Sequence, residues 1–106
     1  MKQKKRTNVK SQQALVNQNK LDNKKVQTFI YPLGENVKEV CLAGNFNNWK
    51  PEPMIKFDSG FRATVKLMPG VYQYKFVVDE KWQADPSAKE KAQNDFGTEN
   101  SVMLVN

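Results

Sequence analysis

Val71-Tyr-Gln-Tyr-Lys-Phe-Val-Val78 decides how this chain is read. In an extended backbone successive side chains leave on opposite faces, so Tyr72, Tyr74, Phe76 and Val78 share one side and Val71, Gln73, Lys75 and Val77 the other. The aromatic set is the core face, which sends Lys75 away from the core. The chain then turns around Asp79-Glu80. A loop of two residues, or of four, pairs Val77 with Trp82, and directly opposed residues share a face; a loop of three breaks that pairing. In the first geometry an indole and an ammonium lie together on a surface that is not the core.

Working outward, Phe61, Ala63, Val65 and Leu67 alternate with Arg62, Thr64 and Lys66, the pattern of a half-buried strand, and Met68-Pro69-Gly70 turns it into the central one. Val26-Gln-Thr-Phe-Ile-Tyr31 is β-branched and aromatic and stops at Pro32. Glu39-Val-Cys-Leu-Ala43 is ended by Gly44-Asn45, a short strand is expected around Met54 to Phe57, and the last run is Ser101 to Val105. Helical periodicity is absent from Val26 onward. Six or seven short strands with turns at close intervals predict an all-β fold, a small antiparallel β-sandwich over residues 26–106. A domain of this size buries only about 60% of its unfolded surface, so large apolar residues left outside call for another explanation.

The chain of 106 residues has 17 basic and 11 acidic side chains. Residues 1–27 hold eight basic groups and one acid, Asp22, whereas residues 28–106 hold nine basic and ten acidic groups. The positive charge therefore belongs to a leader, and the nucleic-acid-binding reading that a net charge of +6 would invite does not extend to the domain. Residues 1–25 are mostly Lys, Gln, Asn and Ser, too poor in apolar side chains to offset the entropy of ordering, and are read as a disordered basic leader. Histidine is absent, which removes Ser-His and Cys-His pairs and His-ligated zinc. The single cysteine, Cys41, permits no internal disulfide and suits a reducing compartment. The basic start leads into no apolar h-region and no membrane span follows, so the expected compartment is the cytoplasm.

Two loops hold the remaining candidates. Trp49 ends Gly44-Asn-Phe-Asn-Asn-Trp49, a sequence suited to backbone conformations that most residues avoid. Asn94-Asp-Phe-Gly-Thr-Glu-Asn100 sets Phe96 beside Thr98 and Asn100, a flat ring with neutral hydrogen-bonding groups that suits a polyol. For each tryptophan the competing reading is core packing, and for the second loop a simple Asn/Gly turn. The carboxylates Asp79, Glu80, Asp85, Glu90 and Asp95 are read as solvated loop residues; glycoside hydrolysis needs two held across a cleft, and the expectation is a protein that is not an enzyme.

Taken together, Glu39 to Trp49, Gly70 to Asp79, Trp82, Asp85-Pro86 and Phe96-Gly-Thr-Glu-Asn100 resemble the glycogen-binding domain of the AMP-activated protein kinase beta subunit. That domain is a member of carbohydrate-binding module family 48, the early-set domain of isoamylases and glycogen branching enzymes. The resemblance spans residues 26–106. It implies an immunoglobulin-like, early-set sandwich with no cofactor or metal that binds α-1,4-glucan. Trp49 and Trp82 would stack on glucose rings, while Lys75, Thr98 and Asn100 hydrogen-bond hydroxyls. Phe96 stands where the family has a leucine that inserts against the glucan, and Asp79-Glu80 where it has Asp-Gly. The alternative the resemblance leaves open is a regulatory or scaffolding module of the same fold, docked on a glycogen-metabolising enzyme or a kinase, with the leader as a docking segment.

Overall fold

The computed structural model describes residues 23–106, and its centre is the strand quoted above. Among the described residues nine strands run in chain order: β1 (Lys25–Pro32), β2 (Val40–Gly44), β3 (Glu52–Pro53), β4 (Ile55–Phe57), β5 (Gly60–Leu67), β6 (Gly70–Val78), β7 (Lys81–Gln83), β8 (Glu90–Gln93) and β9 (Glu99–Val105). They form two antiparallel sheets. One has the order β1-β5-β4; in the other β3-β2-β6-β9-β8 lie side by side and β7 also pairs with β6. Strand β2 borders β6 along one edge from Tyr74 to Val78. The opposite edge is shared in succession by β9, against Gly70 to Tyr74, and β7, against Phe76 to Val78.

The alternation read from the sequence fixes the layers. Phe61 and Leu67 of β5 are buried and Ala63 and Val65 partly so, whereas Arg62, Thr64 and Lys66 face out. Phe29, Val40, Leu42, Met54, Phe61, Tyr74, Phe76 and Val78 form the core between the sheets, with Tyr31, Phe46 and Met103 packed against it. Its rings meet edge-on, Phe29 on Tyr74 at 5.0 Å and Tyr31 on Phe76 at 5.2 Å between centroids. Edge-to-face pairs set the positive rim of one ring against the negative face of the next, worth about 0.5–1.5 kcal/mol beyond area burial. Tyr72, expected on the core face, is only half-buried there and donates its hydroxyl to the Met68 carbonyl at 2.7 Å across the Pro69-Gly70 turn.

The structure adds strands that the sequence pattern does not announce. Strand β8, Glu-Lys-Ala-Gln, lacks apolar alternation and is strand only because β9 pairs with it at the sheet edge. Lys25, assigned above to the leader, is the first residue of β1. The rest of the leader through residue 22 lies outside the described residues.

Three acids differ from the solvated loop residues expected: Glu90 is exposed but opens β8, and Asp85 and Asp79 are enclosed to different degrees. Asp85 is buried: its carboxylate accepts from the Tyr74 hydroxyl at 2.6 Å, the Ser87 hydroxyl at 2.7 Å and the Ser87 N–H at 2.8 Å. Its own N–H donates to the hydroxyl of the fully buried Ser101 at 2.6 Å. A buried carboxylate without donors would be strongly unfavourable, so these bonds are what permit Asp85 to be enclosed in the segment after β7. Asp79 is half-buried and accepts from the N–H groups of Lys38 at 3.0 Å and Glu39 at 2.9 Å, tying the β6–β7 turn to the start of β2.

Burial, then the hydrogen bond to Asp85, then the charge of Asp85 push the Tyr74 phenol well above its ordinary value of 10.0. The folded state thus holds this proton more tightly than the unfolded chain. Its stabilising contribution is complete below about pH 10 and is lost as pH climbs above that value toward the folded one. Urea unfolding followed by tryptophan fluorescence is expected to show stability falling above pH 10. In Tyr74→Phe the curve starts lower, by about 1–3 kcal/mol for the donor Asp85 loses, and declines less steeply in alkali.

Candidate functional site

The outward face of β6 carries Gln73, Lys75 and Val77, with Ala43 of β2 opposite Lys75 and Trp82 of β7 opposite Val77. The two-residue turn gives that register. Asp79 and Glu80 both adopt positive φ, 47° and 74°, the mirror-image turn whose twist matches that of paired strands. Trp82 is held on the outer face with 47% of its surface exposed. Lys75 also leaves the core side as expected, yet it is not an open surface ammonium. It is only 8% exposed, at the join where β7 gives way to β9, and donates to the Thr98 hydroxyl oxygen at 3.0 Å.

Trp49 is set by a closed loop after β2. The N–H groups of Asn47 and Trp49 both donate to the Gly44 carbonyl, at 3.0 and 2.8 Å. The Asn47 side chain accepts from the Gly44 N–H at 3.0 Å and donates to the Leu42 carbonyl at 3.3 Å. Asn45 is bound to β6 by a reciprocal pair, its N–H donating to the Gln73 carbonyl at 3.0 Å and its Oδ1 accepting from the Gln73 N–H at 3.2 Å. Position 44 must be glycine, because a Cβ there would lie 2.8 Å from the Gln73 carbonyl oxygen, which is backbone and cannot move aside. Asn48 and Trp49 both take φ of 60°, a conformation unusual for a bulky residue and found where surrounding bonds over-determine the chain. Trp49 is half-buried and neither indole belongs to the core.

The third contributor is the β8–β9 connection. Gly97, at φ 81°, lets the chain reverse. Phe96 stands at its tip with 90% of its surface exposed, more than any other large apolar side chain described. Thr98 is exposed and Asn100 buried at its base. Trp49, Lys75, Trp82, Phe96, Thr98 and Asn100, drawn from three separate segments, line one open groove of about 690 Å³ together with Asn45, Gln73, Asn94 and Asp95. The sequence does not mark those last four as groove residues, and Asp95 reads there as a solvated loop acid. Gln73 was identifiable as sharing the face of Lys75, whereas nothing in the two Asn-rich loops separates groove-lining asparagines from turn-forming ones.

Asp95 is the one carboxylate among the described residues that line the groove. No group of three or more potential metal ligands among His, Cys, Asp and Glu occurs among the described residues. Cys41 lies on the same outer face, opposite Val77, and burial, followed by the charges of Glu39 and Glu52, pushes its thiol up. Chemically the groove offers exposed apolar ring faces and neutral hydrogen-bonding groups around one cation, the mixture of apolar wall and few placed polar groups that small polar ligands require.

A groove of this kind on one sheet of a small antiparallel two-sheet fold is the class of site the structure defines. Residues 26–106 match the family model described as the glycogen recognition site of AMP-activated protein kinase, and the chain belongs to that family. It is 41% identical over 68 residues to the 5'-AMP-activated protein kinase subunit beta-1 of Sus scrofa, covering 64% of this chain and 55% of that one. It is 42% identical over 72 residues to the beta-2 subunit of Mus musculus, covering 67% and 26%. The chain thus spans between about a quarter and just over half the length of these curated relatives. The crystal structure of a maltogenic amylase from S. marinus shares the fold, with a TM-score of 0.68 at 22% identity over 78% of this chain and 14% of that one.

Glycine at the second position of the β6–β7 turn has no Cβ to oppose positive φ. Glu80→Gly is therefore expected to raise stability by up to about 1 kcal/mol, a gain of about 4–8 °C in melting temperature, with Asp79 and its two bonds retained. Differential scanning calorimetry of the two proteins checks this.

Proposed function

We propose that the domain is a non-catalytic module that binds α-1,4-linked glucan (glycogen, starch or maltooligosaccharide) in this groove. Trp49 and Trp82 stack on glucose rings and Phe96 adds a third apolar surface. Lys75, Thr98 and Asn100 hydrogen-bond hydroxyls. The observation that carries the reading is the exposure of Trp82 and Phe96, 47% and 90%, in a domain too small to spare large rings from its core. A glucose unit presents axial C–H patches that an aromatic face covers, inside a rim of hydroxyls that neutral polar groups satisfy. Among the described residues a single carboxylate lines the groove, one short of the pair that glycoside hydrolysis uses. A reducing, cytoplasmic setting and a glycogen-metabolising or kinase partner belong to the same proposal.

The magnitudes favour weak binding. Two indole faces covering about 100 Å² each contribute about 5 kcal/mol at about 25 cal/mol/Å². Association costs at least about 4 kcal/mol. Each hydrogen bond that replaces one to water returns about 0.5–1.5 kcal/mol. The balance places Kd on the order of 10 μM to 1 mM.

A second reading, a scaffolding module with little sugar affinity, is favoured by the outer face of the three-stranded sheet. There Val26, Ile30 and Ile55 are all exposed, and Ile30 and Ile55 flank Arg62 in register.

Isothermal titration with maltoheptaose or β-cyclodextrin separates the two. The expected result is heat that saturates at millimolar ligand. Trp82→Ala should weaken binding by roughly 50-fold, the loss of one indole face, while stability stays within about 0.5 kcal/mol of the parent. No heat at millimolar ligand, or a falling melting temperature with sugar affinity intact, overturns the glucan reading and favours the scaffold.

A further inference from the structure

The hydrogen bonds beneath Phe96 have a direction, and one residue sets it. Asn94 Oδ1 receives the backbone N–H groups of Phe96 at 2.9 Å and Thr98 at 3.1 Å. Backbone N–H groups only donate, so the atom facing them is the carbonyl oxygen and the NH2 must face the other way. There it donates to Thr98 Oγ1 at 2.8 Å and to Asn100 Oδ1 at 2.9 Å. Both acceptor sites and both N–H bonds of the Asn94 amide are thus used inside the protein. Although this residue lines the groove, its side chain has nothing left for a ligand.

The consequence propagates along two branches. Thr98 Oγ1 also accepts from the Lys75 ammonium at 3.0 Å, a group that cannot accept. With both lone pairs taken, the one remaining capacity of the Thr98 hydroxyl is its proton. On the other branch, Asn100 has committed its oxygen to Asn94, so its NH2 is what meets Gln73, and Gln73 answers with Oε1 at 3.0 Å. The Gln73 NH2 is then turned away from this chain of bonds, on the groove wall.

We propose that Asn94 is a positioning residue that polarises the groove, forcing Thr98 and Gln73 to present hydrogen-bond donors, so that bound hydroxyls engage there as acceptors. This rests on the glucan reading above and extends it by naming which partner donates.

Asn94→Asp tests it with almost no change of shape. The carboxylate still accepts from the Phe96 and Thr98 N–H groups, but it has no NH2. Thr98 must then donate its proton to it, Asn100 must present its NH2, and the Gln73 amide must reverse. Two measurements on the full chain separate the possible failures. In nitrogen–proton NMR without sugar, the side-chain amide resonances of Asn100 and Gln73 are expected to move together in Asn94→Asp. Backbone resonances outside 73–75 and 93–101 should stay in place, and the melting temperature should change by less than about 4 °C. If the Asn100 and Gln73 amides do not move, the proposal is overturned whatever the sugar does.

In titration with maltoheptaose, Asn94→Asp is expected to lose at least about 10-fold in affinity, and Thr98→Val a comparable factor on its own. Thr98→Val should add little in the Asn94→Asp background, because the proton it removes has already been turned away. Independent, multiplying losses, or an affinity in Asn94→Asp equal to the parent, overturn the proposal while leaving glucan binding intact. Absence of heat in the parent itself overturns the glucan reading, and the resonances still decide the relay. Asn94→Ala, which removes the loop's acceptor as well, supplies the contrast: a clear drop in melting temperature and broad backbone changes.

Discussion

In β6 successive side chains leave on opposite faces of one sheet, and the rest of the molecule follows from this. Tyr74, Phe76 and Val78 belong to the core between the sheets, while Gln73, Lys75 and Val77 are carried to the outer face by the same backbone. Slipping the register by one residue would drive an ammonium into the core and aromatic rings into water. Strand pairing on both edges holds that register. The reciprocal bonds between Asn45 and Gln73 extend it into the loop that presents Trp49, and the Val77–Trp82 pair extends it into the hairpin. The packing of the core and the placement of the groove are thus one constraint met twice.

Strain is concentrated where the two indoles are presented. Of the five non-glycine residues with positive φ among those described, Asn48 and Trp49 lie in one presenting loop, and Asp79 and Glu80 in the turn before Trp82. Each such residue costs of order 1–3 kcal/mol and persists only when its neighbours leave no alternative. Here those neighbours are identifiable: the doubly used Gly44 carbonyl, the Asn47 side chain, and the Asp79 carboxylate on two backbone N–H groups. A core tryptophan would need no such support.

The two-sheet architecture and most of its strands could be read from alternation, because period-two patterning is local. The face of Trp82 followed from counting two residues in a turn. Other features depend on segments distant in sequence. Strand β8 has no pattern of its own and is defined by β9. Asp85 is indistinguishable from a solvated loop acid until Tyr74, Ser87 and Ser101 converge on it. Lys75 was legible as outward-facing, but its enclosure depends on where the 94–98 turn comes to rest. Asn94 reads as an ordinary turn residue, and its role depends on which way an amide is oriented, something a one-letter code does not record.

Lys75 meets any arriving molecule already immobilised. A flexible lysine gives up to about 2 kcal/mol of rotamer freedom when pinned. In this fold that loss, together with much of the dehydration of the side chain, falls on folding and not on association. Contact with the ammonium therefore requires no search among side-chain conformers. Under the glucan proposal, modest affinity means short residence times, the behaviour of a domain that samples a large branched particle by repeated touching instead of holding one spot.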